Sequence, residues 1–248
     1  MAEFDRRALI AGIAALPAVG CSKIAESELG SDVFDAAEGL HRAAHRTLAG
    51  RQALAPEYPP EARSPTMRGN GSLTVDSDYY RSQLDRGFPD WRLSITGLVD
   101  KPLSLGMGDL AALPQRTQIT RHDCVEGWSA IAEWSGPQLS HILDMAQVND
   151  RANFVVFRCA DRLNGAAYYE SVDMVSAYHP QTIIAHRLNG EALPEKNGAP
   201  LRVRIERQLG YKHAKYLTAI EAVSSIDEIE GGNGGYWEDR GYQWYAGI

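Results

Sequence analysis

The sequence predicts an α+β fold, mostly β. Short runs that alternate apolar and polar side chains recur along the chain, as in Trp91-Arg92-Leu93-Ser94-Ile95-Thr96, the pattern of half-buried strands. Turn signals punctuate these runs, among them Gly97, Asn189-Gly190 and Asn197-Gly198, where the backbone tolerates positive φ. Helical periodicity is confined to a few short stretches, and no internal repeat is present.

With 248 residues, 44% hydrophobic and 23% charged, the chain suits one large domain with extensions and an ample core. A formal net charge of -7 gives no electrostatic reason to expect nucleic acid as a partner. The three cysteines, Cys21, Cys124 and Cys159, form neither a disulfide scaffold nor a CxxC zinc pair.

Residues 1–21 read as an export signal. Arg6-Arg7 precede an apolar run from Ala8 to Gly20 that is short for a membrane span, the layout of a twin-arginine leader. Ala18-Val19-Gly20-Cys21 is similar to a lipoprotein cleavage box, which makes Cys21 a candidate membrane anchor. The expected location is the periplasm or another exported compartment. Residues 22–65 read as an N-terminal helix and an extended arm. Ser31 is placed to cap a helix to Ala49 with Val33, Phe34, Ala37, Leu40, Ala44 and Leu48 near one face, and Pro56 to Thr66 is Pro-rich and polar.

From residue 66 onward the elements follow in order. A strand spans Trp91 to Thr96. Asp109 caps a short helix that Pro114 ends, and Thr117 to Arg121 is β-like. Trp134-Ser135-Gly136-Pro137 reads as a turn, with Pro137 opening a helix that carries Leu139, Ile142, Leu143 and Ala146 on one face. Asn153 to Arg158 is a strand ending at Cys159, and Ser171 caps a short helix to Tyr178. Ile183 to Leu188 leads into the Asn189-Gly190 hairpin turn. In the strand Leu201 to Ile205, Leu201, Val203 and Ile205 share one face and Arg202 and Arg204 the other. The tail from Gly231 is rich in glycine and aromatics.

Two stretches carry chemistry. Arg202 and Arg204, followed by Lys212, His213 and Lys215 after Gly210, make a cationic lining in an acidic chain, suited to a phosphate. Cys124, in Arg121-His122-Asp123-Cys124-Val125-Glu126-Gly127-Trp128-Ser129, has three open roles: a nucleophile with His122 or His141 as base, an inert core thiol, or a thiolate ligand to a metal. No His, Asp or Glu cluster at ligand spacing surrounds it. An organic cofactor that brings its own sulfur ligands and a phosphate would meet both the lone thiolate and the distant cationic groove.

Taken together and in order, Cys124-Val125-Glu126-Gly127-Trp128-Ser129, Trp134-x-Gly136-x-x-Leu139, Leu188-Asn189-Gly190-x-x-Leu193-Pro194, Asn197-Gly198-x-Pro200-x-Arg202 and Gly210-x-Lys212-x-x-Lys215 resemble the molybdopterin-binding domain of the sulfite oxidase family. The resemblance covers roughly Thr66 to the C-terminus. It implies the sulfite-oxidase-type molybdopterin-binding fold over residues 66–248 and a molybdenum–molybdopterin cofactor. It further implies Cys124 as the thiolate ligand to molybdenum, Asn197 and Arg202 at the pterin or its phosphate, and His213, Ala214 and Lys215 around that phosphate. Asn70 would also touch the cofactor. Cys159 would take the place of a pocket-lining threonine, and if it lines the same pocket a Cys124–Cys159 disulfide becomes available to the apo form. Tyr236-Trp237-Glu238-Asp239-Arg240-Gly241-Tyr242 is similar to a substrate-site stretch, which makes Tyr242 a candidate partner for a metal-oxo group or substrate. Val125-Glu126-Gly127-Trp128 departs from the sulfite oxidases, which carry anion-binding arginines after the ligand cysteine. It resembles the catalytic subunit of the bacterial periplasmic methionine sulfoxide reductase system. Trp128 would then wall the pocket or sit in the core.

The expectation is therefore an exported oxidoreductase that transfers an oxygen atom to or from a small substrate such as a sulfoxide. No second redox centre is encoded, so electrons pass to or from a separate carrier such as a membrane haem or quinone partner. The competing expectation is a cofactor-free periplasmic binding lipoprotein that retains the scaffold.

Overall fold

The computed structural model describes residues 28–48 and 50–248. The leader, with Arg6, Arg7 and Cys21, lies outside the described residues. The chain divides into two compact units, 1–45 and 46–248. Helix α1, Glu28–Leu48, begins before Ser31, so Ser31 lies inside the helix and is not its cap. Its Val33, Phe34 and Leu40 are exposed. Everything below belongs to the second unit.

The main sheet runs in the order β2-β1-β11-β5-β6, from strands β1 (Arg92–Gly97), β2 (Leu103–Gly106), β5 (Phe154–Leu163), β6 (Ala166–Asp173) and β11 (Leu217–Val223). Only β1 and β11 pair in parallel. Its apolar face joins helices α2 (Asp78–Asp85) and α4 (Leu139–Ala146) in one large core. Leu139, Ile142, Leu143 and Ala146 are fully buried there, the large ones contributing about 1.5–3 kcal/mol each. A four-stranded sheet, β3-β4-β8-β9, and a two-stranded one, β10-β7, make the second layer. They comprise β3 (Gln115–Cys124), β4 (Trp128–Pro137), β7 (Ile183–Ala185), β8 (Arg187–Leu188), β9 (Glu191–Ala192) and β10 (Arg202–Arg204). Met67, Trp134, Ile183, Ala185, Leu188 and Leu193 are part of a second, smaller core. The mixed, sheet-dominated α+β architecture is the one expected from the sequence.

Local expectations hold where side-chain chemistry is short-range. The hairpin β8–β9 turns at Asn189 and Gly190, with φ of 52° and 84°. Asp109 accepts from the Gly106 amide at 2.8 Å and so caps helix α3, Met107–Ala112, from its first turn. The arm after Pro56 runs along β3 and β4, Tyr58 donating to the Ile119 carbonyl and Ser64 to that of Ile131, with one 3-10 turn, Pro60–Ala62, interrupting the expected extended course.

Other expectations are corrected by pairing. Ser171 does not cap a helix: it is fully buried in β6, and Asp173 caps α5 (Met174–Ala177) by accepting from the Ser176 amide at 3.0 Å. Trp134 to Pro137 is not a turn but the end of β4, and Pro137 stands ahead of α4. The glycine has another cause there. A Cβ on Gly136 would lie 2.0 Å from the Ile184 carbonyl oxygen, so β7 can pack on β4 only if that position has no side chain. Gly136→Ala is therefore expected to cost on the order of 3 kcal/mol, read as a lower midpoint in urea unfolding with an unchanged slope; a midpoint equal to that of wild type would contradict the close-approach account.

Candidate active site

Strand β3 ends by delivering Cys124 to a cavity. Residues Thr120, His122 and Cys124 point to one buried face by the two-residue period of the strand. Gly127 takes the positive φ of the turn that follows. Trp128 does not line the cavity: it packs against the smaller core, and its indole donates to Glu126 Oε2 at 2.9 Å. The Glu-Gly-Trp sequence thus fixes the Glu126 carboxylate, which does line the cavity.

The cavity is bounded by Asn70, Ser72, Cys124, Glu126, Asp161, Tyr168, Tyr211, His213, Lys215, Trp237 and Tyr242, among others. Of the residues singled out from the sequence, Asn70, Cys124, His213, Lys215 and Tyr242 share this lining. Asn197, Arg202 and Ala214 are buried and sit behind it. Arg202 donates to the carbonyls of Asn197 (3.0 Å) and His213 (3.3 Å), which ties the Asn197-Gly198 turn to the His213 segment. Gly198 holds φ 107°, and a Cβ there would lie 2.8 Å from the Lys215 stem. Cys159 is not in the lining. It packs against the main core, and both it and Cys124 are free thiols.

The two arginines of β10 have different partners. Arg204 grips Glu206 through Nε (3.0 Å) and Nη2 (2.5 Å), and its Nη1 donates to Nδ1 of His122 (2.6 Å) and of His213 (2.7 Å). Burial, then the charge of Arg204, holds both imidazoles well below the usual range, so both are neutral. Trp134 lies beneath, with its ring 4.4 Å from the Arg204 guanidinium and 5.1 Å from that of Arg202. Arg202 has no carboxylate partner among the described residues. Burial and then Arg204 pull its pKa down to about 9. Lys215 is similarly placed: its ammonium donates only to the carbonyls of Asn70 (2.6 Å), Ser72 and Lys196 (3.3 Å), and burial and then Arg202 pull it down to about 7. Lys212, expected in the same cationic lining, points elsewhere and is neutralised by Glu170 and Glu238.

Buried polar atoms without partners gather here: Asn70 Oδ1, Asn197 Oδ1, Arg202 Nε, His122 Nε2 and Asp161 Oδ1. Such atoms are costly unless something else satisfies them. Two buried cations whose partners are carbonyls, with the unused donors Arg202 Nε and His122 Nε2, lie at one end and a thiol at the other, which fits an anionic group that also offers a metal; the unpaired oxygens of Asn70 and Asn197 call for N–H donors on the same ligand. Burial raises the Cys124 thiol pKa, opposed in part by the Glu126 backbone and by Arg202. The thiol is therefore not a ready thiolate, and metal coordination is what would deprotonate it. A Cys–His hydrolase is not assembled. Of the two candidate bases, His141 lies on α4 outside the cavity lining, and His122 Nδ1 accepts from Arg204, which leaves its Nε2 carrying the proton. Both nitrogens of the lining histidine His213 are engaged, by Arg204 and by the Ile205 and Gln208 carbonyls.

The family described as "Oxidoreductase molybdopterin binding domain" matches residues 81–228. The chain belongs to that family. Its cofactor is accordingly molybdopterin with molybdenum, which the residues above fit, and its fold is of the sulfite oxidase type. It is 42% identical over 157 residues to the putative protein-methionine-sulfoxide reductase subunit YedZ1 of Azospira oryzae, covering 63% of this chain and 56% of that protein. Over 144 residues it is 33% identical to the protein-methionine-sulfoxide reductase catalytic subunit MsrP of Campylobacter jejuni, covering 53% and 48%. The sulfane dehydrogenase SoxCD of Paracoccus pantotrophus shares the fold at a TM-score of 0.50 and 24% identity, covering 60% of this chain and 45% of that one. The chain thus spans about half the length of these relatives.

Tyr168, Tyr211, Trp237, Glu126 and Asp161 also belong to the lining and were not singled out as site residues. Glu126 had a local signal, two residues after the cysteine, and Trp237 lay inside the stretch that resembles a substrate site.

Lys215 gives a pH prediction. Its folded pKa of about 7 lies below the ordinary 10.5, so between those values the unfolded chain holds a proton that the folded chain has released. Stability therefore rises with pH across that window, and the penalty is complete below it. Relative to Lys215→Met, wild-type protein prepared without cofactor should gain several degrees in melting temperature between pH 6 and 10, at about 2–4 °C per kcal/mol. A difference that stays constant with pH would contradict the assignment.

Proposed function

We propose that the protein is an exported oxygen-atom-transfer enzyme that reduces a small neutral sulfoxide, with electrons supplied by a separate carrier. The observation that carries the substrate class is the cavity lining. Its organic wall is Tyr168, Tyr211, Trp237 and Tyr242, its acidic groups are Glu126 and Asp161, its cation is Lys215, and no arginine is among the described residues that line it. Without an arginine fork to grip an anion such as sulfite, and with the Glu126 carboxylate beside Cys124, the cavity favours a neutral sulfoxide, which offers apolar groups to the rings and one oxygen to a donor. The names of the relatives, protein-methionine-sulfoxide reductase subunits, agree with this reading.

When bound, the cofactor supplies two-electron redox chemistry at molybdenum. The net change is sulfoxide plus two electrons and two protons to sulfide and water. Cys124 would hold the metal. Arg202, Lys215, Asn70, Asn197 and the His213-Ala214 segment would hold the pterin and its phosphate. Asp161, which accepts from the Ser72 hydroxyl, keeps its proton above the ordinary carboxylate range because it is buried. It can hold a proton at the cavity wall. Among the described residues no helix is long and apolar enough to cross a membrane. The electron carrier in this reading is a membrane partner holding haem or quinone, and Cys21 is the proposed anchor.

Protein expressed with its leader should contain close to one molybdenum per chain and reduce methyl sulfoxides with a reduced viologen dye. Cys124→Ser should lose at least about 100-fold in that activity, on the scale of removing an interaction worth about 2.7 kcal/mol or more in the transition state, and should retain little molybdenum. Faster oxidation of sulfite than reduction of sulfoxide would overturn the substrate class.

A further inference from the structure

The tail from Gly231 to Tyr242 forms one wall of the cavity. Trp237 and Tyr242 stack with centroids 5.1 Å apart and planes 28° apart, and Tyr242 meets Tyr211 edge-on at 5.3 Å. Tyr242 is partly exposed at the rim, and Trp237 is half-buried behind it. The Tyr211 contact ties the outer ring to the domain, and the tail next to Trp237 is tied more deeply.

The buried ionic part of that attachment is made by the residue after Trp237. Glu238 Oε1 lies 2.5 Å from Lys212 Nζ, and the same ammonium lies 2.9 Å from Glu170 Oε1 on β6; all three side chains are buried. A Cβ on Gly235 would lie 2.1 Å from both Glu170 Oε1 and Glu238 Oε2, so the tail backbone crosses directly over the carboxylate pair. Burial, then the charge of Glu238, raises Glu170 well above its usual range. One proton on the pair leaves the three groups neutral together, which removes the cost of a surplus buried charge. Further bonds pin the same strap: Tyr236 N to the Tyr169 carbonyl at 3.0 Å, and the Tyr169 hydroxyl to Asp239 Oδ2 at 2.7 Å. Lys212 stands next to His213, so one lysine joins the aromatic wall to the segment behind the cofactor site.

We infer that Trp237 is a specificity-determining residue that packs the organic group of the substrate, and that Glu238 is its positioning residue, acting through Lys212 and Glu170. The inference rests on the cavity being the substrate site proposed above. It differs from a purely structural role in one respect: Glu238 should matter to substrate only through Trp237.

The test is a double-mutant cycle on full-length, molybdenum-loaded enzyme. Trp237→Ala, Glu238→Gln and the double variant are compared for methyl phenyl sulfoxide and dimethyl sulfoxide, with KM and kcat from dye-linked turnover and Kd from calorimetry. Trp237→Ala is expected to raise KM and Kd for the aryl substrate about ten-fold, of the size of losing one aromatic packing contact, with a smaller change for dimethyl sulfoxide. Glu238→Gln should raise the same constants, molybdenum content should stay at the wild-type level, and the double variant should be no worse than Trp237→Ala alone. Effects that multiply in the double variant, or equal changes for both substrates, would overturn the inference. Should Glu238→Gln fail to fold, Glu238→Asp, which keeps the charge but shortens the reach to Lys212, is read in its place. Wild-type enzyme that binds the aryl sulfoxide in a Trp237-dependent way without reducing it would sink the proposed activity and leave the wall standing. Turnover indifferent to Trp237 would do the reverse.

Discussion

Two buried cations without counter-ions constrain the site. Arg202 is fully enclosed and, among the described residues, donates only to carbonyls, and so does Lys215, buried at the cavity wall. A protein does not normally keep such charges in its interior unless another charge completes them. Arg204, on the same face of the same strand, is the internal control: it has Glu206, two neutral imidazoles and an indole around it, and it needs nothing further. The contrast between the two arginines is what makes the region a cradle for an anion and not simply a basic patch.

From that constraint the rest of the site follows. Strand β3 must end at the cradle so that the sulfur of Cys124 reaches the same cavity as Lys215. Close approaches have to be kept free of side chains, at Gly136 between the strands and at Gly198 beside the lysine stem. The aromatic tail lines another part of that cavity and is fastened by its own buried charge group around Lys212. Lys212 and His213 are adjacent in the chain, the first paired with Glu170 and Glu238 and the second with Arg204.

Much of this was legible in the sequence, and the reasons are physical. Strand alternation placed Arg202 and Arg204 on one face and put Cys124 at a strand end, and short-range turn chemistry marked Asn189-Gly190. Family resemblance, not periodicity, supplied the cofactor. What could not be read was long-range pairing. Glu206, two residues after Arg204, was a local clue to which arginine is paired, whereas the His122 contact, 82 residues away, was not readable. Lys212 and Lys215 look equivalent in a basic run, yet one meets carboxylates from β6 and from the tail, far away in sequence. Tyr168 and Tyr169 are adjacent on β6, and only the first borders the cavity. The family resemblance implied Cys159 in the pocket, in place of a lining threonine, but it is not among the lining residues and packs against the main core.

The most direct test of the unpaired-cation account is Arg202→Met, followed by two readouts on one preparation each of cofactor-free and cofactor-loaded protein. If the arginine is held in the interior for an absent anion, the cofactor-free variant should melt no lower than cofactor-free wild type, because an uncompensated buried charge has been removed, while molybdenum retention after gel filtration falls steeply. A variant that melts well below wild type without cofactor, yet keeps a full complement of molybdenum, would contradict the account.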